Sequence, residues 1–238
     1  MTLCITLFFR QIFVDIFRSL FYNFYMKKIL TAFIIIIFTS SMASAIDLSL
    51  KKDTNKPAQP EEFQNLTNEA SVYYAENDIK NAQTVLLSIP EDKRAPQNWL
   101  LIGNILQDQG KIDEAIFMYK KAIETDNKFY KAYYNLGNIY LQTDKTNMAI
   151  EEYKKAIKAN PEFAYAHYNL ACAYIKEGKY SKAKFELYTA TDLKNTVPEF
   201  YYNLAFVFKK LNKEKDAKKY LEYYNKLMEQ NYVQGYNI

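Results

Sequence analysis

The chain has 238 residues, 49% of them hydrophobic, with 22 tyrosines and 16 phenylalanines but only five glycines and six prolines. That length and composition suit one mid-sized domain with a continuous core. The formal charge is +4, and Arg10, Arg18, Lys27 and Lys28 supply the excess near the N-terminus; the remainder is close to neutral, which excludes the electrostatic footprint of a nucleic-acid binder.

From Met26 the sequence reads "MKKILTAFIIIIFTSSMASA". Lys27 and Lys28 form a basic start, Ile29 to Phe38 an apolar run, and Ala43-Ser44-Ala45 a small-residue cleavage site. Together residues 26–45 predict a signal peptide and a mature chain beginning at Ile46. The run of about 10 apolar residues is short of the roughly 20 that cross a bilayer; the alternative is an uncleaved anchor. No Cys follows the run, so a lipoprotein is not expected. The processed chain is expected in the periplasm or outside the cell, with no stable membrane span.

Residues 1–25 do not fit ahead of such a signal, and the simplest reading is an upstream extension with translation starting at Met26. The alternative is an aromatic interface helix with Arg10 and Arg18 on its polar side. Cys4 falls in this stretch, so Cys172 is the only Cys of the mature chain and no internal disulfide can form. Residues 46–62 read as a polar linker.

Three phrases then recur at intervals of 34 residues: "YYNLGNIY" at 133–140, "HYNLACAY" at 167–174 and "YYNLAFVF" at 201–208. Aligned on them, the chain divides into blocks 96–129, 130–163, 164–197 and 198–231. A preceding block, 63–95, is one residue shorter, and 232–238 form a tail. Self-similarity at this period is the mark of one supersecondary unit copied along a solenoid. In block 130–163, Tyr133, Leu136, Gly137 and Tyr140 fall on one face of a first helix. After "QTDK", the residues Ala149, Ile150, Tyr153, Ala156 and Ile157 repeat the rhythm on a second. Asn160-Pro161 ends it, because Pro cannot continue the hydrogen-bonded ladder. Gly110, Asp144, Gly178 and Asn212 take equivalent places in the turns and are types that tolerate a left-handed backbone. The prediction is all-α, in antiparallel helix pairs.

The pattern of a large residue, Leu-Gly or Leu-Ala, Tyr, then Ala, an aromatic, Ala and Pro resembles the tetratricopeptide-repeat family. Trp99, Ile102, Gly103, Leu106, Ala115, Tyr119 and Ala122 carry it in one block. Tyr133, Leu136, Gly137, Tyr140, Ala149, Tyr153, Ala156 and Pro161 carry it in the next. His167, Leu170, Ala171, Tyr174, Ala183, Leu187 and Ala190 follow, then Tyr201, Leu204, Ala205, Phe208, Ala217 and Leu221. The resemblance implies a right-handed α-solenoid of about five helix–turn–helix units over residues 63–231. In such a unit, Gly or Ala on the first helix lets the second approach, and Ala on the second lets the next unit dock. Block 63–95, with Leu66, Ala70, Tyr73, Ala82 and Leu86, is the degenerate N-terminal cap. Tyr224 replaces the docking Ala in the last block, whose charged second helix suits an end facing water.

The sequence has no Gly-rich phosphate loop, no Cys-x-x-Cys and no His-Glu-x-x-His, and an enzyme, a cofactor or a metal site is not expected. The single His, His167, takes the place of Trp99, Tyr133 and Tyr201 and reads as a packing residue. Two rows remain unexplained by the core: Tyr134, Tyr168 and Tyr202, and Asn135, Asn169 and Asn203, with Asn138 and Asn104 one turn on. The resemblance puts this face on the concave side of the solenoid. An Asn offers a donor and an acceptor to any peptide backbone, and Tyr offers apolar area with a polar tip. The alternative is that the Asn side chains bond to a neighbouring helix. The earlier part of the face holds Gln97, Asn104, Gln107 and Asp108. The later part holds Tyr165, Cys172, Ile175 and Phe206 beside Lys176, Lys209 and Lys210, which suits a protein or peptide segment with apolar anchors and an acidic end. The basic clamp of chaperone-tail-binding members is not carried over, because its places hold Tyr and Asn. These residues predict a non-enzymatic, exported adaptor or scaffold, by analogy one of cell-envelope assembly. The alternatives are an accessory subunit presenting substrate to an envelope enzyme complex and a secreted factor acting on a host.

Overall fold

The computed structural model describes residues 60–235, with side chains to residue 230. The upstream stretch, the expected signal sequence, most of the expected linker and the end of the tail lie outside the described residues. Among those described, ten α-helices follow one another with no strand: α1 Glu61–Ala75, α2 Ile79–Ser88, α3 Pro96–Asp108, α4 Ile112–Thr125, α5 Tyr130–Gln142, α6 Thr146–Ala159, α7 Ala164–Lys176, α8 Tyr180–Leu193, α9 Pro198–Lys210 and α10 Glu214–Gly235. They pack as five consecutive antiparallel pairs, repeats 1 to 5. Each pair also packs on the next, and the first helices of adjacent repeats touch. This is an all-α solenoid.

The turns inside the pairs are built alike. Asn77, Gly110, Asp144, Gly178 and Asn212 all have φ between 57° and 75°. The residue after each donates its backbone N–H to a carbonyl five residues back, as Lys111 to Leu106 at 2.9 Å and Lys145 to Tyr140 at 2.8 Å. That bond closes the end of the first helix and requires a left-handed residue ahead of it. The four turn residues expected from sequence all adopt this conformation, and Asn77 adds a fifth.

The spacing of the two helices in a repeat follows from a matched pair of side chains. A Cβ placed on Gly103 would lie 2.5 Å from the ring of Tyr119, and one on Gly137 would lie 2.5 Å from the ring of Tyr153. Both tyrosines are fully buried. Where the first helix carries Ala instead, at Ala70 and Ala171, the second helix presents the narrower Leu86 and Leu187, also fully buried. Ala115, Ala149 and Ala183 at the helix crossings and Ala122, Ala156 and Ala190 at the docking places have no exposure. At the last docking place Tyr224 packs against Tyr202 with ring centroids 5.4 Å apart.

Gly137→Ala forces a Cβ into the Tyr153 ring and is expected to destabilise the domain by about 1–3 kcal/mol. Combining it with Tyr153→Leu recreates the Ala171–Leu187 pairing of repeat 4, so the double variant is expected to be more stable than the sum of the single changes predicts. Urea unfolding of the four chains of the cycle checks this, and strict additivity would count against the pairing.

Candidate functional site

The face of interest is formed by the first helices of repeats 2 to 5, which meet side by side. Its residues do not stand alone. Asn104 Oδ1 on α3 lies 2.8 Å from the hydroxyl of Tyr119 on α4 and accepts the amide of Asn135 on α5 at 2.8 Å. One repeat on, Asn138 Oδ1 on α5 accepts from the Tyr153 hydroxyl on α6 at 2.8 Å and from the Asn169 amide on α7 at 2.7 Å. Each Asn oxygen thus joins three helices: its own, its hairpin partner and the first helix of the next repeat. Burial raises the pKa of both tyrosines, which keeps them neutral and able to donate.

The next node changes its chemistry. Leu187 has no hydroxyl, and Cys172 stands where Asn104 and Asn138 stood. The Asn203 amide donates to the Tyr168 hydroxyl at 3.1 Å and to Cys172 Sγ at 3.4 Å. Burial pushes the Cys172 thiol up to about 11, so it is no nucleophile at neutral pH. The Asn169 amide likewise reaches the Tyr134 hydroxyl at 3.1 Å. Of the two readings open for the Asn row, bonds to the neighbouring helix are present for Asn135, Asn169 and Asn203 alike.

The tyrosine row divides. Tyr134 and Tyr168 are half-buried and serve the next repeat's Asn, whereas Tyr202, with no following repeat, is 52% exposed. Phe206 and Tyr165 are each 36% exposed, Ile175 is half-buried and Lys209 is exposed. The Tyr165 hydroxyl accepts from Lys194 Nζ at 2.9 Å. Lys176 is already paired with Asp144 and also reaches the Leu141 carbonyl, and Lys210 sits 5.4 Å from the centre of the Phe206 ring. The accessible apolar part of the face therefore lies on repeats 4 and 5, with Lys209 at its rim.

His167 does more than pack. Its Nε2 lies 3.0 Å from the Pro161 carbonyl, and its Nδ1 lies 2.7 Å from Glu186 Oε2 on α8. Tyr133 and Tyr201 bond the equivalent carbonyls of Asn127 and Asn195, each six residues upstream. His167 reproduces that tie and adds a second one. Burial opposes its charge, but the carboxylate and the carbonyl outweigh burial, and the pKa is raised above 6.5. Two acceptors need two donors, and only the protonated ring has them.

Sequence reasoning gave no part to the second helices' outer side, yet Phe185 is 67% exposed there and Phe117 more than half exposed. The repeat spacing held the signal, since Glu151 and Lys219 take the same place in sister repeats and mark it as outward-facing.

Paired helices at a 34-residue interval, left-handed turn residues and small crossing residues define a tetratricopeptide-repeat scaffold, a class built to present a binding face. The family model described as "Cilia and flagella-associated protein 70 C-terminal domain" matches residues 41–229, and the chain belongs to this tetratricopeptide-repeat family. No curated protein matches it. Among solved structures it is similar to "Crystal structure of MamA", at 22% identity and TM-score 0.61, covering 69% of this chain and 96% of that one. A MamA of Desulfovibrio magneticus RS-1, spanning residue 41 to its end, shares 21% identity at TM-score 0.59, covering 74% and 99%. These likenesses show the fold.

His167 is the only histidine, so a stability titration near neutrality reports on it. Its folded-state pKa is raised, so its contribution is complete below the unfolded value of about 6.5 and is lost as pH rises through the native value. Urea unfolding midpoints are expected to fall over that interval in the native chain and to lose this step in His167→Gln. A flat profile in the native chain would contradict the doubly bonded imidazolium.

Proposed function

We propose that this chain is a non-enzymatic, exported adaptor that holds an extended segment of a partner protein along the first-helix face of repeats 4 and 5, in cell-envelope assembly. The observation that carries the reading is the set of accessible aromatic residues there, Tyr165, Tyr202 and Phe206, on a face where the other repeats have closed their polar groups on one another. Exposed aromatic rings give large contact area for little lost side-chain entropy. Lys209 at the rim favours a partner with an acid near its apolar anchor. The Asn row supports this face from behind: it fixes the angle at which successive first helices meet. Export rests on the arrangement from Met26 to Ala45, and the envelope role on analogy with exported proteins of this fold.

Site-specific photocrosslinking in the native host tests the reading. A benzophenone side chain at Tyr202 or Phe206 is expected to capture one discrete partner, and the same group at Phe185 on the outer side is not. Capture at Phe185 alone, or a protein starting at Met1 and retained in the cytoplasm, would overturn it.

The Asn row yields a separate expectation. Replacing Asn135, Asn169 and Asn203 together by Ala removes inter-repeat bonds worth about 0.5–1.5 kcal/mol each. The variant is expected to melt earlier, while the partner affinity of its folded fraction falls only modestly. Unchanged melting with lost affinity would instead make the amides direct contacts.

A further inference from the structure

The edge of the solenoid formed by the turns inside the repeats is graded in charge. Over the end of the first helix, the turn and the start of the second, acids outnumber bases in repeats 1 and 2, where Glu76, Asp108, Asp113 and Glu114 lie exposed. Repeat 3, the middle one, sets Asp144 against Lys145 alone. In repeats 4 and 5 bases outnumber acids, with Lys179, Lys182, Lys213 and Lys215 exposed. The opposite edge, made by the loops between repeats, has no such gradient: Glu91 and Asp92 face Lys93 and Arg94, and Lys158 is balanced by Glu162. A surface formed by random drift of solvent-facing residues gives no reason for one edge to be sorted and the other balanced.

A second feature coincides with the neutral middle. Met148, in the first turn of α6, is 45% exposed, and repeat 3 is the repeat whose turn carries no charge excess. An edge that runs from acidic to basic through a neutral, apolar centre is complementary to itself turned by 180°. Two-fold contacts demand such self-complementarity, because each patch meets its own copy. An edge of uniform sign would repel its mate; a graded one attracts it. The ε-amino groups of Lys182 and Lys213 pair with no carboxylate among the described residues, so they are available to one.

We infer that two copies of this chain associate antiparallel along their turn edges, the acidic repeats 1 and 2 of each against the basic repeats 4 and 5 of the other, with the two Met148 side chains near the two-fold axis. This edge is distinct from the first-helix face, so a dimer leaves Tyr202 and Phe206 open to a partner.

Sedimentation velocity of the full chain tests this. A dimer is expected at about 0.05 M salt and a shift toward monomer at about 0.5 M, where the Debye length falls to a few ångströms. Repeat 2 of one copy faces repeat 4 of the other, so Lys179→Glu with Lys182→Glu is expected to give a monomer at low salt, and so is Asp113→Lys with Glu114→Lys. All four changes in one chain exchange the signs of the facing repeats 2 and 4 and are expected to restore the dimer, and the two paired variants, mixed, are expected to associate with each other. Met148→Ser is expected to weaken the dimer at both salt levels. These side chains are exposed, and melting curves of each variant verify that the fold is kept. A native chain that is monomeric at low salt, a dimer indifferent to salt, or a four-residue inversion that stays monomeric would overturn the proposal. A monomer that instead binds poly-glutamate would also overturn it, by showing that the basic end serves a different acidic protein.

Discussion

The distance between the two helices of a repeat controls the rest of the structure. In repeats 2 and 3 that distance is set by a glycine against a tyrosine ring, Gly103 with Tyr119 and Gly137 with Tyr153, where even one methyl group has no room. The close approach brings the tyrosine hydroxyl across the hairpin to the residue that follows the glycine on the first helix, Asn104 or Asn138, which accepts it. The same oxygen then takes the amide of the following repeat. A packing choice inside one hairpin therefore dictates how the next one is attached. Buried polar groups tolerate this only when each is satisfied, and among the described residues no buried side-chain nitrogen or oxygen lacks a partner.

When Ala171 and Leu187 replace the Gly and Tyr, the hydroxyl disappears and the acceptor keeps only one of its two donors, the amide of the next repeat. Cys172 stands in its place, and in the last repeat Phe206 does. The residue types at these three places therefore change together from one repeat to the next. The face of repeats 2 and 3 is closed by its own hydrogen bonds, while that of repeats 4 and 5 carries the more accessible aromatic rings. The chemistry of the face is tied to the packing, because the Asn acceptor accompanies a Tyr on the second helix and is replaced where that residue is Leu.

The architecture could be read from the chain because it depends on residues whose meaning is local. A left-handed turn selects Gly, Asn or Asp, a helix crossing selects Gly or Ala, and the interval repeats both. The Asn row shows the limit. Asn135 on its helix face fits either a ligand's backbone or a neighbouring carbonyl, because an amide has the same donors for both. What decides is the position of Asn104 Oδ1, 31 residues away in sequence and dependent on the tilt between repeats. His167 was legible as a large packing residue but not as an ion pair: of the places equivalent to Glu186, Glu152 belongs to the repeat that carries Tyr133 instead of His, and Met118 and Tyr220 have no charge. Lys176 looked like a free cation until the turn of the preceding repeat brought Asp144 to it.

The turn edge and the first-helix face belong to the same repeats but are written by different positions. Core places admit few residue types, since a wrong size is felt by the neighbouring helix. Turn-edge places next to the left-handed residue are mostly solvent-exposed and make at most surface contacts, so their charge can change with little effect on the fold. The face lies between these cases, because its Asn and Tyr residues hold the repeats together and only the end of the row is released from that duty. A solenoid built this way can alter its self-association through edge charges while leaving its partner face intact. The proposed partner face is freest to change at repeat 5, because among the described residues no further repeat packs on Tyr202 and Phe206. That asymmetry gives the last repeat both the accessible aromatic rings and the densest lysines, and it places the freedom to change function where the cost to folding is smallest.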